Sequence, residues 1–156
     1  IPLPSITRVP MIWSDPGTRK GAQTGTLAST IDISASILDR AGLAPYNGIQ
    51  GSSFIEALDG TQVHRDEVMI EHNDGGPRMG FTKAVRARTL RTKDWRMSIF
   101  AGETWGELYD LNTDLRECNN LWDDPSAKDV RAELTLRLVD HLTFQMDESP
   151  RATRLA

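Results

Sequence analysis

A single cysteine, Cys118, stands in 156 residues. No disulfide can close within the chain, so the fold has to rest on an ordinary hydrophobic core. A basic excess is also missing. Eighteen Lys and Arg against 22 Asp and Glu leave a net charge of −4, which excludes the cationic surface that nucleic-acid binding needs. No apolar run approaches the ~18 residues of a membrane span, and a soluble protein, cytoplasmic or periplasmic, is expected. Repeats and low-complexity tracts are absent. With 38% hydrophobic and 26% charged residues the composition is globular and not disordered. The chain opens at Ile1 and not at Met, which predicts a piece of a longer protein.

Several signatures of chemistry are missing too. The stretch 14–25 gathers Gly17, Gly21, Gly25, Arg19 and Lys20 but lacks the spacing of a phosphate-binding Gly-x-x-x-x-Gly-Lys-Ser/Thr loop, so a solvated loop is expected. Ser52 is not framed by a Gly-x-Ser-x-Gly elbow, and a helix-capping role is its expectation. Glu71 and Asp74 lack the ligand spacing of a calcium-binding helix–loop–helix.

What is present reads as two kinds of structure. Pro2 and Pro4 predict an extended lead-in over residues 1–8. Residues 9–13 form a short apolar run that predicts a buried strand. A helix follows over 30–41, capped by Ser29 or Thr30 and stopped by Gly42, with Ile31, Ala35, Leu38 and Ala41 on one face and Ile33 and Ile37 widening it. Asp32 falls in its first turn, where a carboxylate meets the positive end of the helix dipole, worth ~0.3–1 kcal/mol. A short helix capped by Ser52 or Ser53 ends near Gly60. The polar stretch 61–66, including His64 as a solvated residue, predicts a boundary between regions 1–62 and 63–156.

Beyond it the pattern turns to strands: 68–70, 84–90, 95–100 and 108–111. Trp95, Met97 and Ile99 alternate with Arg96, Ser98 and Phe100, the period-2 sign of a half-buried strand. Short turns such as Thr92-Lys93-Asp94 imply antiparallel pairing. From Ser126, with Asp129 completing a capping-box pattern, Val130, Leu134, Leu138 and Leu142 recur every fourth residue beside Val139 and Met146. This predicts a helix of about five turns packed on the sheet, with His141 on its flank. Arg86, Arg88, Arg91, Lys93 and Arg96 form a basic cluster, expected on a solvated face, with anion attraction as the alternative.

Two blocks of residues carry a family resemblance. The first is Val9-Pro10, Asp15-Pro16-Gly17, Thr30-Ile31-Asp32-Ile33-Ser34-Ala35-Ser36-Ile37-Leu38 with Ala41-Gly42, and Gly48-x-x-Gly51-Ser52-Ser53-Phe54. The second is Arg88-Thr89, Lys93-Asp94-Trp95-Arg96, Glu107-Leu108-Tyr109-Asp110-Leu111, Glu117 and Asn119-Asn120-Leu121. In this order they resemble the C-terminal portion of a sulfatase of the alkaline-phosphatase superfamily. The resemblance implies an α/β fold: the end of a large α/β domain over 1–62, then a small α+β subdomain over 63–156, a four-stranded antiparallel sheet on a C-terminal helix.

It also implies a parent enzyme that hydrolyses sulfate esters with formylglycine and calcium. Cys118 precedes Asn119-Asn120-Leu121 and so does not match the family's Cys/Ser-x-Pro-x-Arg precursor. No Asp-x-x-Gly-His metal segment occurs. Neither catalytic residues nor metal ligands are therefore expected here, and this chain alone is expected to be inert. Its expected partners are a small-molecule sulfate ester and the N-terminal part of the same protein. Phosphodiester or phosphonate monoester hydrolysis is the alternative within the superfamily, and a non-catalytic module for anionic sugars is the alternative outside it. The Gly-rich stretch Glu71–Gly80 is expected to be a loop at the substrate rim, with His72, Asn73 and Arg78 as substrate-binding residues.

Overall fold

The structure, a computed structural model, describes residues 7–14, 16, 21, 23–58, 60–77 and 80–145. Among these the chain forms two compact units, 7–12 with 67–141 and 13–66 with 142–145.

The first unit is an antiparallel meander. Strands β1 (Glu67–Pro77), β2 (Ala84–Thr92), β3 (Trp95–Phe100) and β4 (Gly106–Asp110) pair strictly in sequence order. Met69, Leu90, Met97 and Leu108 stand opposite one another across all four strands. On this row sits α2 (Lys128–Phe144) through Leu134 and Leu138, with Ala127 and Val130 alongside. Leu90, Met97, Leu108 and Leu138 are wholly buried, each worth about 1.5–3 kcal/mol of hydrophobic stabilisation. The sheet and terminal helix expected from the sequence are thus present. The helix shows its apolar residues more openly than its spacing implied: Val139 is 52% and Leu142 38% exposed.

The helix is introduced by a 3₁₀ turn, Pro125–Ala127. Its cap is Asp124, whose Oδ1 accepts from the Ser126 N–H and hydroxyl at 2.8 and 2.7 Å. The Ser126–Asp129 capping box is therefore replaced: Pro125 at the first helical position lets the preceding Asp take the cap. The open edge of β4 is covered by Asn120, whose Oδ1 accepts from Leu108 N–H (2.9 Å) and whose Nδ2 donates to Gly106 O (3.0 Å). An amide side chain here completes the ladder that an edge strand leaves unpaired. Trp122 closes over Gly106, where a Cβ would lie 2.5 Å from its ring.

The second unit contains α1 (Asp32–Arg40) and a 3₁₀ turn, Ile55–Ala57. The helix stops in a Schellman motif: Gly42 at φ 68° donates to Asp39 O, and Leu43 N–H to Leu38 O, both at 2.9 Å. Three expectations are corrected in this stretch. Residues 8–14 are not a strand. Val9 and Ile12 are 57% and 90% exposed, and the run joins no ladder among the described residues. Thr7 has helical backbone, in contrast to the extended lead-in, whose other positions lie mainly outside the described residues. Finally, α1 buries Asp32, Ala35 and Ser36, while Ile31, Ile33 and Ile37 are exposed. Its buried side is polar because hydrogen bonds, described next, hold it there.

Candidate functional site

The start of α1 is organised around Asp32. Its side chain is fully buried. Oδ2 accepts from Ser29 N–H (2.8 Å) and Arg65 Nε (2.9 Å) and lies 3.1 Å from His64 Nε2, while Oδ1 accepts from Ser52 N–H (2.9 Å) and the Arg65 guanidinium. Burial pushes this carboxyl up, but Arg65, the two backbone donors and His64 outweigh it and hold the pKa at about 2. Gly51 makes the geometry possible: a Cβ there would stand 2.1 Å from Ile31 O. The two backbones touch, and Ser52 N–H reaches the carboxylate. Ser36 extends the brace, donating to Asp32 O and accepting from Phe54 N–H.

His64 is therefore no solvated linker residue. Its side chain is 4% exposed, it packs edge-on against Phe54, and its backbone N–H donates to Thr26 Oγ1 at 2.8 Å. Nor is Asp32 merely a dipole partner. With both oxygens saturated and no surface open to substrate, its chemistry is structural. The expected capping role of Ser52 is also modified, since its N–H serves Asp32 and its hydroxyl accepts from Arg65 at 3.3 Å.

A second charged cluster lies on the sheet face opposite α2. Arg96, 2% exposed, donates from Nε to Glu117 Oε2 (2.6 Å) and from Nη1 to Glu107 Oε2 (2.9 Å) and Ser98 Oγ (2.7 Å). Its guanidinium stacks 4.7 Å above the Tyr109 ring. Glu117 reaches Arg96 from a left-handed backbone conformation, φ 56°, which is strained for a residue with a Cβ. Burial pushes the Glu117 carboxyl up, against the pull of Arg96. Strand β3 is thus covered on both faces, and the face read as solvated carries Arg96 and Ser98 as a polar interior. The basic cluster is largely neutralised: Arg88 pairs with Glu71 (2.9 Å) and Arg91 lies 3.6 Å from Glu117.

The expected rim stretch is mostly strand. β1 runs to Pro77, with His72 opposite Ala87 and Asn73 opposite Arg86. Between the pairs Asn73–Arg86 and Pro77–Ala84 the ladder slips, so that residues 74–76 face Val85 alone. Bulges of this kind re-aim side chains. Here Asp74 Oδ1 comes within 3.3 Å of His72 Nε2, and the His72 side chain stays 42% exposed. Successive strand residues point to opposite faces. His72 accordingly leaves the sheet on the side of Arg96 and Phe100, and Asn73 on the side of α2, where its Oδ1 accepts from Arg88 Nη1 at 3.0 Å. Arg78 lies outside the described residues, as do Arg19 and Lys20 of the glycine-containing loop and Met146.

His141, read as a flank residue, pairs with Glu67 at 2.9 Å, and Arg137 meets the same carboxylate. Cys118 is exposed. Among the described residues no cluster of three or more His, Cys, Asp or Glu is placed to hold a metal ion, and no helix is long and apolar enough to cross a membrane.

Meander, terminal helix and a carboxylate-anchored helical segment belong together in one class, the C-terminal portion of a sulfatase-type hydrolase, by the match of the sequence to its family model. The chain belongs, more narrowly, to the C-terminal family of N-sulphoglucosamine sulphohydrolase, which it matches over residues 4–143. It is similar to arylsulfatase K of Danio rerio, 24% identical over 122 residues, spanning 74% of this chain and 22% of that protein. Its fold is like that of the phosphonate monoester hydrolase SpPMH of Silicibacter pomeroyi, with a TM-score of 0.73, 24% identity, and coverage of 86% of this chain and 28% of the other. It is also like BT4656, solved in complex with its substrate D-glucosamine-2-N,6-O-disulfate, with a TM-score of 0.62, 24% identity, and coverage of 83% and 28%. The chain spans only about a quarter of the length of these relatives.

Proposed function

We propose that this chain is the C-terminal part of an enzyme that hydrolyses sulfate esters, and that it contributes scaffold and substrate rim, not the reacting groups. The observation that carries the proposal is the match to the sulphohydrolase C-terminal family over residues 4–143. Cleaving a sulfate ester takes a nucleophile, cationic neutralisation of the nonbridging oxygens and an acid for the leaving group. Asp32 is saturated, and the described carboxylates do not cluster to bind calcium. By the resemblance to sulfatases, formylglycine and calcium are assigned to the part of the parent enzyme outside this chain.

At the rim, His72 supplies an imidazole beside Asp74, Arg78 adds a guanidinium, and Asn73 acts through Arg88. Replacing His72 and Arg78 by Ala in the parent enzyme raises KM or lowers kcat; unchanged kinetics would remove both residues from the rim.

The fold likeness to a phosphonate monoester hydrolase favours a second reading, in which the parent cleaves phosphonate monoesters. The two readings are separated by kcat/KM of the parent enzyme on a sulfate ester and a phosphonate monoester with the same leaving group. A preference for the sulfate ester of about tenfold or more, the ratio that measures differential transition-state binding, is expected. The reverse preference sinks the first reading.

A further inference from the structure

The second unit holds a groove that neither the Asp32 brace nor the proposed rim uses. It has a volume of about 540 Å³, an apolar lining of Ala35, Leu43, Pro45 and Ile49, and two carboxylates, Asp39 and Glu56. Asp39 Oδ2 accepts from the Ser53 hydroxyl, which leaves its other oxygen and both oxygens of Glu56 open. Both acids are exposed, and no ion pair among the described residues reaches either of them. Leu43 beside them is 59% exposed. The chain itself supplies a segment of complementary make-up. Just past α2, in the same unit, the Gln145 carbonyl accepts from Gln50 Nε2 at 3.1 Å. Gln50 stands between Ile49 and Gly51, both of which line the groove. Residues 146–156 follow, outside the described residues, and carry Arg151 and Arg154 with Leu155 directly after the second. An extended chain advances ~3.3–3.6 Å per residue, so Arg154 has a reach of about 30 Å from Gln145.

We propose that this groove is the docking site of the chain's own C-terminal segment, with Arg154 on Asp39 and Glu56 and Leu155 against Leu43 and Ile49. Arginine is the fitting cation, because its planar fork of donors can serve two carboxylates at once. An exposed ion pair is worth only ~0.2–1 kcal/mol, too little to hold a separate peptide. Tethering supplies the rest, since a short linker keeps the segment at an effective concentration in the millimolar range. The same segment of a second copy offers the same chemistry without that advantage. An anionic sulfate ester would be repelled by both acids, so the inference goes beyond the sulfate-ester reading and does not depend on it.

Trypsin, which cuts after arginine, reads the docking directly. In the full 156-residue chain at low salt, mass spectrometry should show cleavage after Arg154 about tenfold slower than in a synthetic peptide of residues 146–156, because cleavage follows the undocked population. At about 1 M salt, where charges are screened beyond ~3 Å, the two rates should converge. Glu56→Gln, at an exposed side chain with no ion pair among the described residues, should raise the low-salt rate severalfold. Arg154→Lys leaves the groove untouched and keeps the trypsin site, and it should lose part of the protection relative to its own matched peptide. Equal rates for chain and peptide at low salt would overturn the proposal, as would protection that both variants leave unchanged. Protection that disappears on dilution of the chain would assign the groove to a second copy and overturn it as well.

Discussion

Asp32 shows how much one residue can hold. Its carboxylate ties the start of α1 to the Gly51–Ser52 backbone and to His64 and Arg65. Replacing it by Ala leaves Arg65 and two partly buried N–H groups without their acceptor, and a loss of about 3–5 kcal/mol is expected, read by urea unfolding. The same residue sets an acid limit. Its pKa is about 2 in the fold against an ordinary 3.8, so its contribution is complete above pH ~4 and disappears as pH falls towards 2, some 2 kcal/mol in all. Glu117, whose pKa is raised, runs the opposite way: its contribution is fullest in acid and declines as pH rises through its folded value. Asp32→Asn should flatten the stability profile between pH 4 and 2; an unchanged acid limb would show that the carboxylate is not what titrates. Gly51→Ala, which drives a methyl into Ile31 O, should cost about 1–3 kcal/mol. The acid at the helix start was legible in the sequence. Its partners, 20 and 33 positions away, were not, because no local period relates them.

At the level of elements, sequence and structure agree best where period and turn chemistry coincide. β3 falls where alternation put it, and β2 and β4 within two residues of expectation. Alternation tells which residues share a face but not whether the second face is dry. Arg96 therefore read as a solvent residue although it is 2% exposed. The two glutamates of the Glu107–Leu111 and Glu117 blocks are its counter-ions, which gives the family-like spacing a physical meaning. Arg96→Met should destabilise by about 3–5 kcal/mol, because Glu107 and Glu117 lose their shared cation. Adding Glu107→Gln and Glu117→Gln should recover part of that loss in denaturant melts. In α1 the opposite error arose: isoleucines at helical spacing read as core, but the polar brace claims the inward side. Ile33→Gln and Ile37→Gln should change stability by less than about 0.5 kcal/mol each; a larger loss would mean that these faces are packed.

For the whole molecule, the division into a meander unit and an α1 unit means that the two can respond separately to perturbation. The Asp32 and Arg96 substitutions are then expected to lower hydrogen-exchange protection each in its own unit first. The ordering of the sheet carries a kinetic consequence as well. Each strand pairs only with its neighbour in sequence, so each hairpin closes a loop of a few residues before any distant contact is required. Low contact order of this kind favours fast formation, in the millisecond range or below. Trp95 and Trp122, both packed against the meander core, are native reporters for stopped-flow fluorescence. The hairpins can thus assemble in the order in which a ribosome delivers them, β1 with β2 before β4 has been synthesised.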